Sequence, residues 1–180
     1  MAIVRLDKVL AGANGNIESV IVYTNEETAT LKQDFTNGLF VNLGEVNAEG
    51  AGREVHEAYP TTTDGEAEAL LVANPELSYD ESVALDEYKN RQGQAVRAYR
   101  LYDGDVITFT EDLLPDGVAV GDVLAPGENG ELEAAAAGDY RYVLEVFEDA
   151  GYELHLDPLD ISNSKKAFAM KVKRDYTVGA

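Results

Sequence analysis

Residues 94–110, QAVRAYRLYDGDVITFT, decide how the rest of the chain is read. Two extended runs, 95–101 and 105–110, flank Tyr102-Asp103-Gly104. Asp-Gly between β-rich runs is a strong hairpin signal, because Gly adopts positive φ at no steric cost and Asp bonds back onto its own backbone. The second run alternates, with Val106, Thr108 and Thr110 on one side and Ile107 and Phe109 on the other. That pattern predicts a half-buried strand. The expectation is a hairpin that acts as the hinge of the fold, with short Gly-rich strands before it and a second set after it.

Working back toward the N-terminus, residues 69–73 (ALLVA) form a short apolar run that reads as a fully buried strand. Residues 39–43 (LFVNL) place Leu39, Val41 and Leu43 on one face, 17–23 (IESVIVY) is β-branched, and 53–59 alternates weakly. Residues 3–10 fit either a strand or a helical turn. Asn14-Gly15, Asn37-Gly38 and the cluster 61–65 mark turns. Ser78-Tyr-Asp-Glu81 matches a capping box and predicts one short helix around 79–90, closed by Gly93, against the competing reading of an irregular acidic loop.

Working forward, residues 113–124 (LLPDGVAVGDVL) place Val118 and Val120 on one strand face between two turns. Short strands follow at 132–137 and 152–156, and the longest run is 140–148, with Tyr140, Tyr142, Leu144 and Val146 on one face. In 167–174, Phe168, Met170 and Val172 point in while Lys171 and Lys173 point out. Turn signals recurring roughly every 8–12 residues predict a mainly β fold, a small barrel or sandwich with Gly/Asp-rich turns. Residues 1–110 read as an N-terminal β region adding an extra layer, and 111–180 as a small barrel-like region, the two being separate or one continuous domain.

A chain of 180 residues can bury a real core. Fourteen Lys and Arg against 34 Asp and Glu give a net charge of −20, a field that repels nucleic acid and anionic membrane. There is no Cys, hence no disulfide, no thiol nucleophile and no Cys-based zinc site. The first ten residues lack the apolar core of a secretory signal, and no run approaches the ~18 apolar residues that span a bilayer. We therefore expect a soluble product of the cytoplasm with no membrane or nucleic-acid partner. The charge is uneven: residues 111–164 hold fourteen acidic side chains and one basic, Arg141, whereas 165–174 hold five basic and no acidic ones. Lys165, Lys166, Lys171, Lys173 and Arg174 form either a ladder paired to an acidic neighbour strand or a basic contact patch on an acidic particle. On the second reading they are the partner interface, and 111–164 faces solvent.

Motifs for chemistry are missing. His56 and His155 sit in no HExxH or nucleophile motif, and there is no Walker loop and no GxGxxG after a strand. The chain has no Trp, which weakens carbohydrate binding. Asp103 with Asp105, and Asp157 with Asp160, could offer oxygens to calcium, but no Asp-x-Asp-x-Asp-Gly loop exists. We expect no catalytic, cofactor or metal site. Ten Tyr suit protein–protein contact as well as half-buried strand positions.

Val118-Ala-Val-Gly-Asp-Val-Leu124, then Gly130-Glu-Leu132 and Arg141-Tyr-Val-Leu-Glu-Val146, resemble the β-domain of tailed-phage head decoration, or cement, proteins. Leu71-Val-Ala-Asn-Pro-Glu76, Tyr79-Asp-Glu81 and Arg97-Ala-Tyr-Arg-Leu-Tyr-Asp-Gly-Asp105 are similar to phrases of phage structural proteins. The resemblance implies no catalysis. It implies a virion protein on the capsid exterior that binds the major capsid protein and cements neighbouring shell subunits, as a homo-oligomer with a trimer favoured. Another phage subunit of shell or tail, a hydrolase, or a calcium-dependent adhesion module are the alternatives.

Overall fold

Short β-branched runs between turns fold into two β layers in the computed structural model, which describes residues 4–8, 16–26, 30–46, 54–62, 68–75, 88–152 and 165–179. The strands are β1 (Val4–Lys8), β2 (Ile17–Val22), β3 (Phe40–Val46), β4 (Val55–Pro60), β5 (Leu70–Val72), β6 (Val96–Tyr99), β7 (Val106–Thr110), β8 (Val123–Pro126), β9 (Leu132–Ala134), β10 (Gly138–Tyr152) and β11 (Lys166–Val178). Strands β2 to β6 close a barrel in the order β2-β4-β3-β5-β6, and the others form an open sheet in the order β1-β7-β11-β10-β8-β9. Only the β2–β4 pair is parallel among the described pairs. The mainly β architecture with a barrel and a second β layer is as the turn spacing indicates. The closed barrel falls within residues 17–99, and 111–180 supplies β8 to β11 of the open sheet.

Period-two alternation builds two cores from the barrel strands. Val20, Val22, Val41, Ala58, Leu70, Val72, Val96 and Ala98 fill the barrel. Their neighbours Phe40, Leu71 and Tyr99 point outward and meet Ile107, Phe109, Tyr142, Leu144 and Met170 of the sheet. The Phe40 ring lies 6.3 Å from Phe109 and 6.5 Å from Tyr142, within the range where aromatic pairs attract. One strand face thus belongs to each core, which explains why residues 69–73 carry no polar side.

The hairpin expected at 94–110 is not formed. Its turn is present: the Asp105 amide donates to the Tyr102 carbonyl at 3.1 Å, the Asp105 carboxylate accepts from the Tyr102 amide at 2.9 Å, and Gly104 takes φ +84°. The flanking runs then part, β6 pairing with β2 and β5, and β7 with β1 and β11. Both edges of β6 are needed to close the barrel, so none is left for β7. The stretch is a crossover joining the layers. Nor is β7 half-buried: lying between β1 and β11, it buries Thr108 and Thr110 as well as Ile107 and Phe109.

Three further expectations change. Val118 and Val120 are not on a strand: residues 118–122 form a tight turn closed by the Asp122 carboxylate on the Ala119 amide at 2.8 Å, and β8 begins at Val123. Within the expected helix 79–90, residues 79–87 lie outside the described residues, and Tyr88–Asn90 is not helical, with Asn90 bridging to Phe35. Strand 152–156 also lies outside the described residues beyond Tyr152, where β10 ends.

Strand β11 keeps its expected alternation, Phe168, Met170 and Val172 being buried and Lys171 exposed. The alternation reverses at Asp175, whose φ of +47° is the left-handed conformation that Asp tolerates better than most residues. Tyr176 and Val178 therefore join Val143 and Ala125 on the face opposite Val172.

Candidate functional site

The five basic residues singled out in 165–174 are spread over β11 and its entry, not gathered into one patch. Lys165 Nζ lies 3.2 Å from Asp112 in the turn after β7. Lys166 Nζ lies 2.9 Å from Asp149 and 4.7 Å above the Phe168 ring. Lys173 Nζ lies 2.7 Å from Glu145 and 5.3 Å from the Tyr176 ring. Lys171 is exposed, directly opposite Glu145 in the ladder. The Glu145 carboxylate raises the Lys173 ammonium above its ordinary value, and Lys166 lowers the Asp149 carboxyl. Three carboxylates of the acidic segment 111–164 are thus spent on the terminal strand.

Arg174 lies on the other face. Its guanidinium donates to the Leu101 carbonyl at 2.6 Å and to Glu68 at 2.9 Å, and Glu68 also accepts from Arg100 at 3.0 Å. Arg100 reaches Glu18 of the barrel at 3.7 Å. Burial raises the Glu68 carboxyl, but the Arg174 hydrogen bond and the Arg100 charge outweigh it and hold the group below its ordinary value. Beside this cluster the Tyr142 hydroxyl donates to the Ala69 carbonyl at 3.0 Å, and its complete burial pushes the phenol strongly up. Backbone bonds from Gly104 and Arg174 to β11 and the crossover complete the seam: Gly104 donates to Val172 at 2.9 Å and the Arg174 amide to Asp103 at 3.2 Å. Asp103 and Asp105, considered for calcium, are used to hold this turn.

Among the described residues, no group of three or more His, Asp or Glu side chains is placed to hold a metal ion. His56 Nδ1 lies 3.2 Å from the Gly44 carbonyl on the barrel. Beside it the Tyr59 hydroxyl donates to Glu57 at 2.7 Å, a bond that with burial pushes the phenol up to about 12. His155, Asp157 and Asp160 lie outside the described residues. An open cleft of about 680 Å³ runs between 35–39, 113–115 and 129–133. Two of its carboxylates are engaged by backbone amides, Asp34 accepting from the distant Gln92 amide at 2.8 Å and Glu133 from the nearby Glu128 amide at 3.2 Å.

The feature that sequence reading missed is the outer end of β10. Past Val146 the strand runs beyond β8, which pairs with it at Leu144 and Glu145, and Phe147, Glu148 and Asp149 are all exposed. The ladder to β11 slips at Val146/Glu148 and again at Asp149/Gly151. The only sequence signal was Phe147 itself, an apolar residue on the polar side of the alternation through Leu144 and Val146. No helix among the described residues is long and apolar enough to cross a membrane. No family model, curated protein or solved structure matches the chain.

Proposed function

We propose that the chain is a non-enzymatic structural protein of a tailed-phage virion that binds the outside of the capsid and stabilises neighbouring shell subunits. One observation carries this reading: the long β10–β11 ladder is tied to the barrel by Arg174, Glu68 and Arg100, giving one stiff body with an exposed strand end. A protein that cements a shell must carry load between subunits without yielding. A long antiparallel ladder locked to a closed barrel suits that task, since opening it breaks many bonds together. The resemblance of 118–124, 130–132 and 141–146 to head decoration proteins supports the same reading. A charge of −20 keeps such a protein soluble and repels both nucleic acid and unassembled copies until the shell supplies a complementary surface. The partner is the major capsid protein, and the unit on the shell is a homo-oligomer, a trimer by preference.

The test is co-sedimentation with undecorated heads of the parent phage, read together with the heat resistance of those heads. The reading expects the chain to pellet with the heads and to raise the temperature at which they release DNA. Chain left wholly in the supernatant overturns it.

A further inference from the structure

We infer that Phe147 and Val120 form an apolar anchor that docks the chain onto a partner protein whose contact surface is basic; resting on the reading above, that partner is the shell subunit. Large apolar side chains are exposed at three described positions, Val46 (49%), Val120 (56%) and Phe147 (42%), and two of the three are neighbours. The Gly121 amide donates to the Val146 carbonyl at 2.7 Å, so Val120 and Phe147 each sit one residue from the same backbone bond. Phe147 is the extra residue of the bulge between Val146 and Glu148. Period two already places Phe147 opposite the buried Leu144 and Val146, and the bulge leaves it with no residue facing it in the β11 register. Folding gains little from leaving that ring in water.

The second slip, at Asp149/Gly151, blunts the same edge. Bulges disfavour the open-ended addition of further strands, so contact here is made by side chains. An aromatic anchor seated in a partner's pocket is the common form of a binding hot spot. The surroundings select the partner. Glu148 is exposed without an ion pair among the described residues, Asp122 sits in the Val120 turn, and Asp149 is only part-neutralised by Lys166. A second copy would bring these same carboxylates to face each other, which is unfavourable. A pocket rimmed by Lys and Arg complements them.

The experiment compares wild type, the double variant Phe147→Ser with Val120→Ser, and Val46→Ser, all checked for an unchanged circular dichroism spectrum and melting temperature. Each is titrated onto undecorated heads, and its mass is measured by light scattering. The expected result is wild-type binding that weakens as salt rises, loss of about tenfold or more in affinity in the double variant, and none in Val46→Ser. Equal binding by wild type and the double variant overturns the anchor and leaves capsid decoration standing. A wild-type oligomer that the double variant reduces to monomer also overturns it, assigning the pair to self-contact. Wild type that binds no heads overturns the decoration reading and this inference with it.

Discussion

Glu68 ties the two layers together, because it accepts from Arg174 of the sheet and Arg100 of the barrel at once. Replacing it with Gln keeps the shape but removes the charge facing a guanidinium that is only 18% exposed on its side chain. Glu68 itself is 32% exposed, so solvent screens part of the pairing, and the expected loss is about 1–2 kcal/mol. Its folded-state value is depressed, so the stabilisation is complete above the unfolded carboxyl value of about 4.3 and fades as pH falls through the lower folded value. Urea midpoints of wild type and Glu68→Gln should therefore differ at neutral pH and converge in strong acid. An equal gap at both pH values would show that the charge is not what Glu68 contributes. Nothing in the sequence announced this pair, since 106 residues separate the partners and only the crossover at 100–105 brings them together. The exposed face of the same strand was legible: Lys171 and Lys173 alternate with Met170 and Val172, and strand period alone places them outside.

At the level of elements, the chain entering β3 is held by side chains as well as by the backbone bridge between Phe35 and Asn90. Asn37 Oδ1 accepts from the Asn74 amide and from Asn90 Nδ2, both at 3.0 Å, and Asn37 Nδ2 donates to the Asn74 carbonyl at 2.8 Å. Tyr88 joins through Asn74 and Asn90. All three connections cross between the β2–β3, β5 and β6 approaches, so Asn37→Ala should strand buried polar atoms and cost about 2–3 kcal/mol in chemical denaturation. Asn37→Asp should recover little, because the carboxylate cannot donate to Asn74. On the sheet side, Gly130 abuts the barrel: an added Cβ would lie 2.4 Å from the Phe40 carbonyl oxygen, at a φ of +77°. Gly130→Ala should cost about 2 kcal/mol or more and shift the Phe40 environment by near-ultraviolet dichroism, whereas Gly104→Ala, with open space around it, meets only the backbone term. Sequence marked Asn37-Gly38 as a turn and read its purpose only as chain reversal. Apart from Val118 and Val120, strand positions were largely legible from period two, but pairing was not. Asp-Gly at 103–104 indicates a tight turn, and whether the runs beside it pair depends on how many other strands compete for their edges.

Over the whole molecule, the barrel and the sheet share one core. Phe40, Leu71 and Tyr99 reach out of the barrel into the cluster that holds Phe109, Tyr142, Leu144 and Met170, while the barrel's own interior is a row of Val, Ala and Leu. The small interior residues suit a five-stranded barrel, and the large aromatic ones are kept for the seam between layers. Layers joined this way should unfold together. Phe40 is fully buried with two ring neighbours, and Phe40→Ala removes it from the seam while leaving Val41 inside the barrel. The expected loss is about 3–5 kcal/mol. Tyr99 reports on the barrel and Tyr142 on the sheet, so 19F-labelled tyrosines at these two positions distinguish the outcomes. Coincident denaturant transitions at both sites, shifted equally by Phe40→Ala, would show one cooperative body. A sheet transition that stays in place while the barrel melts early would show two units meeting at a dispensable contact. In that event the stiffness proposed for load-bearing on a shell would fail with it, since a ladder tied to a loosely docked barrel transmits no more force than the weaker of the two.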